Sequence, residues 1–195
     1  MPSLIRRNII LIGFSFTGKS TVGKMVAERL GWKFVDLDQE IARKAGKTVP
    51  EIFAGEGEAS FRLREGQSVK ECLAKERQVV ATGGGAVISE ENRNLMKRSG
   101  LVVCLEARPE TIYERLLKDV KESPSPEDRP LLAGNDPLAR ITAMKEQRRP
   151  FYQIAHLTVN TDGLSVTEVA ASVIKGWEDR KLSPGAGVPS KNTNV

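Results

Sequence analysis

Gly13-Phe14-Ser15-Phe16-Thr17-Gly18-Lys19-Ser20 follows directly on the apolar run Ile9-Ile10-Leu11-Ile12. The order is strand-like run, glycine-bounded loop, helix-like stretch. The spacing G-x-x-x-x-G-K-S is that of a loop that wraps phosphate groups. Backbone N–H groups of such a loop converge on phosphate oxygens, and the helix behind it adds the positive end of its dipole. Lys19 supplies a mobile cation for the outer phosphates, and the Ser20 hydroxyl can ligate Mg²⁺. Residues 13–20, with Thr21 beyond them, are therefore the expected nucleotide contacts. The helix that follows shows a 3.6-residue stripe through Val22, Met25, Val26 and Leu30, closed by Gly31.

The rest of the chain alternates in the same manner. Strands are expected at 8–12, 33–36, 78–82, 101–105 and 156–160. Helices are expected at 19–30, about 59–75, 90–98, 109–119, 137–149 and 165–180. Strand and helix in alternation make an α/β fold, a parallel sheet covered on both faces, with ligands at the carboxyl ends of its strands. Two stretches interrupt the pattern. Residues 38–75 are longer than one crossover needs and read as an inserted helical subdomain. Residues 119–136 hold Pro124, Pro126, Pro130 and Gly134 with little periodicity and read as a lid loop. Residues 1–182 then form a single domain, and 183–195, poor in apolar side chains, a disordered tail.

At 195 residues a buried core is within reach, and 39% apolar with 28% charged residues suits a soluble protein. The apolar runs are too short to span a bilayer, and no leader segment is expected, so a cytoplasmic location follows. Cys72 and Cys104 form no C-x-x-C and read as reduced core residues. His156, the sole histidine, reads as a partly exposed strand residue. The net charge is +5, but Arg180, Lys181 and Lys191 lie in an acid-free end; without those three, residues 1–179 keep about +2. There is no basic stripe interleaved with aromatics, so nucleic acid is not an expected partner.

Asp36 and Asp38 end the second strand-like run. Alternate strand residues face one side, so both carboxylates can enter one cleft. One can support Mg²⁺ through water and the other can accept a proton from a substrate hydroxyl; alternatively Asp38 caps the next helix. Thr82-Gly83-Gly84-Gly85 follows the strand Val79-Val80-Ala81, and three glycines let backbone approach a ligand closely. Arg62, three residues before Glu65, and Arg148, on a stripe with Leu138, Ile141, Met144 and Lys145, are suited to bidentate carboxylate binding. Either alone would pass for a solvated charge. Arg129, in the lid, could neutralise charge on a transferring phosphoryl group.

In this order the pieces resemble the shikimate kinase family of the nucleoside-monophosphate-kinase-like P-loop folds, from about Arg7 to Trp177. They are the phosphate loop, Asp36-x-Asp38, Phe61-Arg62 with Glu65, Gly83-Gly84-Gly85, Arg129-Pro130-Leu131-Leu132 and Arg148-x-Pro150-x-Tyr152. The resemblance implies a three-layer α/β/α fold with five parallel strands. It implies ATP-dependent phosphorylation of the shikimate 3-hydroxyl, on the route to chorismate and the aromatic amino acids, by a monomer using Mg²⁺. It gives Lys19, Asp38 and Arg129 catalytic roles and Ser20 and Asp36 the metal. Phe61, Arg62, Gly83, Gly84, Gly85 and Arg148, with Asp38, would hold shikimate. Arg115 and Ser165 would flank the adenine. Phe16 stands where the family commonly has glycine, and its ring is expected to point to the substrate entrance or the lid. A gluconate kinase of the same fold, or a nucleotide-binding protein without turnover, are the alternatives.

Overall fold

Strand β1 (Asn8–Ile12) is buried at every position because both faces of the sheet are covered. The computed structural model describes residues 8–122 and 135–182. Around β1 lie β2 (Lys33–Asp36), β3 (Gln78–Ala81), β4 (Gly100–Glu106) and β5 (Leu157–Asn160), all parallel, in the order β2-β3-β1-β4-β5. Strand alternation divides the core. Ile9, Leu11, Val79, Leu101, Val103 and Leu105 face helices α1 (Lys19–Leu30) and α7 (Val166–Leu182). Ile10, Ile12, Val80, Val102 and Cys104 face the opposite layer. That layer draws on α3 (Val49–Leu73), α4 (Glu90–Ser99) and α6 (Pro137–Tyr152) through Val69, Met96 and Tyr152. Asn8, polar and fully buried, bonds to the Lys75 carbonyl and the Gln78 N–H, so its burial leaves nothing unpaired. The expected three-layer α/β/α architecture is present.

The region expected as a helical insertion holds two helices, and the first begins earlier than the periodicity suggests. α2 (Leu37–Ala45) starts directly at the end of β2. α3 opens at a reciprocal capping box between Thr48 and Glu51, with Pro50 in its first turn, and breaks its helical geometry at Gly57. Glycines at 55 and 57 blur the apolar stripe, which is why the pattern reads clearly only after residue 59. α5 (Pro109–Glu122) and α6 end and begin close to the expected positions. His156 precedes β5 instead of lying in it: its Nδ1 accepts the Val102 N–H, tying β5 to β4. Arg129 and most of the expected lid, like the tail 183–195, lie outside the described residues. Among the described residues no helix is long and apolar enough to cross a membrane.

Candidate active site

β1 and β3 are neighbours, so the loops at their carboxyl ends share one crevice. The loop after β1 runs tightly over β4. Gly13 has φ +135, and a Cβ there would sit 2.2 Å from the Leu105 carbonyl oxygen, so only glycine fits. Thr17 is buried and donates to the Phe14 carbonyl, bracing the loop from within. Lys19 Nζ is buried and donates to the carbonyls of Gly13 (2.9 Å) and Phe14 (2.6 Å). The lysine thus folds back over its own loop. Burial holds its pKa down at about 8, against the upward pull of Asp38.

The two aspartates divide differently from the simplest expectation. Asp36, not Asp38, caps α2: its Oδ1 accepts the N–H groups of Asp38 and Gln39. Its Oδ2 accepts the Ser20 hydroxyl at 2.5 Å. Capping by Asp36 frees the Asp38 side chain for the crevice. There Asp38 Oδ1 is shut off from solvent without a hydrogen-bond partner. Burial, then Asp36, pushes its pKa up, against the opposing pull of Lys19 and Arg62. A buried, unpaired carboxylate oxygen is costly unless something arrives to pair with it.

Each of the three glycines makes room for a different functional group. A Cβ on Gly83 would lie 2.6 Å from Asp38 Oδ1, and one on Gly85 would lie 2.7 Å from both terminal nitrogens of Arg62. A Cβ on Gly84 would touch Ser15 and approach Arg148 Nη1 at 3.4 Å. Asp38, Arg62, Arg148 and the phosphate loop therefore line one space floored by Gly83–Gly85. Arg62 is aimed by Glu65 (2.8 Å), which is almost fully buried, and by Glu58 (3.0 Å). Arg148 lies over the face of Phe14, 5.4 Å from the ring centre. The Tyr152 hydroxyl donates to the Gly84 carbonyl and fixes the glycine loop.

Other expected site residues fall less directly. Phe61 is buried with Ile41 and Ile52 and stacks on Phe53, so it supports Arg62 from beneath instead of standing open to a ligand. The reason is its place on the inner face of α3. Arg115 is held away from free solvent: it donates to the carbonyls of Phe16 and Thr161 and to the Thr161 hydroxyl. Ser165 makes a reciprocal cap with Glu168, and none of its hydrogen bonds reaches the phosphate loop. Thr21 is exposed in the first turn of α1. The ring of Phe16 was expected at the substrate entrance or the lid; it packs against an apolar cluster of Phe14, Ala107, Ile112, Leu116 and Ile141, which Val120, at the described start of the expected lid, also joins. Glu58, Tyr152 and Thr161 were not singled out from sequence as supports. Glu58 left a signal there, four residues before Arg62 on one helix face, and Tyr152 stood in the Arg148-x-Pro150-x-Tyr152 motif without a role; Thr161 left none.

A phosphate loop with a buried lysine, a Ser–Asp pair at its end, a buried carboxylate oxygen without a partner and two convergent arginines are the parts of a P-loop phosphotransferase. The family model described as "Shikimate kinase" matches residues 16–178. The shikimate kinase of Symbiobacterium thermophilum is 45% identical over 174 residues, covering 89% of this chain and 97% of that one. That of Geobacter metallireducens is 44% identical over 179 residues, covering 92% and 96%. The chain belongs to the shikimate kinase family. Among solved structures, shikimate kinase from Acinetobacter baumannii in complex with shikimate superposes with a TM-score of 0.83 at 36% identity, covering 91% of this chain and 96% of that one. A gluconokinase from Sinorhizobium meliloti, at 17% identity and a TM-score of 0.54, shares the fold alone.

Proposed function

We propose that this site phosphorylates the 3-hydroxyl of shikimate with ATP, giving shikimate 3-phosphate and ADP in the route to chorismate. The observation that carries the residue assignment is the buried, unpartnered Asp38 Oδ1 beside Lys19 and Arg62. Asp38 accepts the hydroxyl proton as the substrate oxygen bonds to the γ-phosphorus, and the bond to ADP breaks. Lys19 leaves the Gly13 and Phe14 carbonyls for the transferring phosphate. Arg62 and Arg148 clamp the substrate carboxylate, with Gly83–Gly85 beneath the ring. Arg129 is assigned to the phosphoryl group from sequence alone. Arg115 and Ser165 are assigned to the adenine side.

The Ser20–Asp36 pair suits Mg²⁺. The metal favours one or two protein oxygens together with nucleotide phosphates and waters, and among the described residues no cluster of three or more His, Cys, Asp or Glu offers it a separate cage. When bound, it neutralises charge on the outer phosphates. Ser20 Oγ would ligate it while its hydroxyl hydrogen still points to Asp36, and Asp36 would hold a metal-bound water. The protein acts as a cytoplasmic monomer in this reading.

The test is ADP release with Mg²⁺, ATP and either shikimate or gluconate. Shikimate should stimulate release far more; equal or greater stimulation by gluconate refutes the assignment. A second expectation follows from Lys19. Bound phosphates favour the lysine cation, so the pKa in the complex lies above the free value of about 8. MgADP affinity should therefore hold steady up to that pH. Above it, affinity should fall by up to about tenfold per pH unit, with proton uptake on binding. Calorimetry between pH 7 and 9.5 in two buffers reads both, and a flat profile removes the buried lysine from the phosphate site.

A further inference from the structure

Phe16 is one of two non-glycine residues with positive φ among the described residues, at +61. A side chain there is disfavoured, so something must hold it. The structure shows two restraints. The ring lies against an apolar cluster of Phe14, Ala107, Ile112, Leu116 and Ile141, built between α5 and α6. The carbonyl accepts a hydrogen bond from Arg115 Nη1 at 3.2 Å, and Arg115 is itself anchored by both Thr161 oxygens.

These restraints fix the direction of one peptide. In a trans peptide the C=O and the next N–H point opposite ways. With the Phe16 carbonyl turned to Arg115, the Thr17 N–H is directed the opposite way, away from Arg115. An anion-binding loop requires a set direction of its N–H groups. A glycine at this position could adopt the same φ but would keep only the Arg115 bond to hold it there.

We propose that Phe16 is a positioning residue for the nucleotide phosphates, presetting the Thr17 N–H by locking its own backbone through the ring. In this chain an anchored phenylalanine replaces the freedom of glycine with a fixed conformation. The ring acts through the peptide. The inference rests on assigning residues 13–20 to the nucleotide phosphates.

The experiment compares wild type, Phe16→Gly, Phe16→Leu and Lys19→Met, with MgADP and shikimate affinities by calorimetry and amide exchange across the loop. Phe16→Gly should weaken MgADP binding about five- to twentyfold, on the scale of losing preorganisation. Its Thr17 and Gly18 amides should exchange faster, while shikimate affinity in the absence of nucleotide stays unchanged. Phe16→Leu, which can still enter the α5–α6 cluster, should recover most of the affinity. Unchanged MgADP affinity in Phe16→Gly overturns the proposal. So does a parallel loss of both affinities, or Phe16→Leu behaving like Phe16→Gly. If Lys19→Met binds MgADP as wild type does, the phosphate-loop assignment itself fails. Loss with Lys19→Met but not with Phe16→Gly defeats only the role of the ring.

Discussion

Asp38→Asn should lower kcat by about 10²- to 10⁴-fold at saturating Mg²⁺, the usual worth of a positioned base. The asparagine keeps the shape and can still accept a hydrogen bond, but it cannot take the hydroxyl proton. MgADP affinity should not fall, because Asp38 lies on the acceptor side of Lys19 and makes no bond to the phosphate loop. Burial, followed by Asp36, raises the Asp38 pKa, so the acid limb of the wild-type kcat/KM profile should sit above the ordinary carboxylate range. As pH falls through that raised value the carboxylate gains a proton and can no longer act as acceptor; activity is therefore lost toward acid. The residual activity of Asp38→Asn should lack this limb. Asp36→Asn is the contrast. Asparagine caps a helix about as well as aspartate, so α2 survives. What is lost is the charge that receives the Ser20 hydroxyl, and the Mg²⁺ dependence should move to higher concentration. An Asp38→Asn enzyme within tenfold of wild type, with its acid limb intact, would falsify the assignment of the base.

The fold could be read from sequence wherever period and punctuation agreed. β1 and β4 are continuous apolar runs because both faces are buried, and the stripe of α1 ends at a left-handed Gly31. The boundary of α2 was lost because Asp36 serves both as the last strand residue and as the helix cap. Nothing in the sequence order says which of two nearby carboxylates will cap. The triple glycine was legible as a place of close approach, yet not its division of labour. That Gly83 clears Asp38, Gly84 Ser15 and Arg148, and Gly85 Arg62 depends on contacts between β3, α2, α3 and α6. Phe16 was conspicuous as a departure from pattern, but its ring direction is set by apolar residues about a hundred positions away on α5 and farther still on α6. Tertiary packing of this kind leaves no local signature. Arg129 remains a sequence assignment only.

Arg62→Ala and Arg148→Ala should each weaken shikimate binding by about 2–5 kcal/mol, roughly 30-fold to 4,000-fold, while MgADP affinity holds. The two losses have different anatomy. Arg62 is 28% exposed and already shared between Glu58 and Glu65, so its charge is partly spent and the effect should fall at the lower end. Its removal also strands Glu65, which is 2% exposed and whose pKa burial already raises. Without Arg62 the Glu65 pKa should rise further, and Arg62→Ala should lose stability as well as affinity. Arg148 also acts on Glu65 and on the Tyr152 hydroxyl, but among the described residues no carboxylate depends on it for a direct ion pair. It rests on the Phe14 ring beside Gly84, so Arg148→Ala is the cleaner measure of the clamp. Arg149→Ala supplies the control: its side chain is 75% exposed and only 3.5 Å from Glu146, and its loss should be within the few tenths of a kcal/mol typical of surface pairs. The double variant decides the geometry. If both arginines grip one carboxylate, the second removal should cost less than the first, because the ligand has already lost its bidentate hold. If the two single losses add in full, Arg62 and Arg148 hold different groups of the ligand, and a single-carboxylate clamp is wrong.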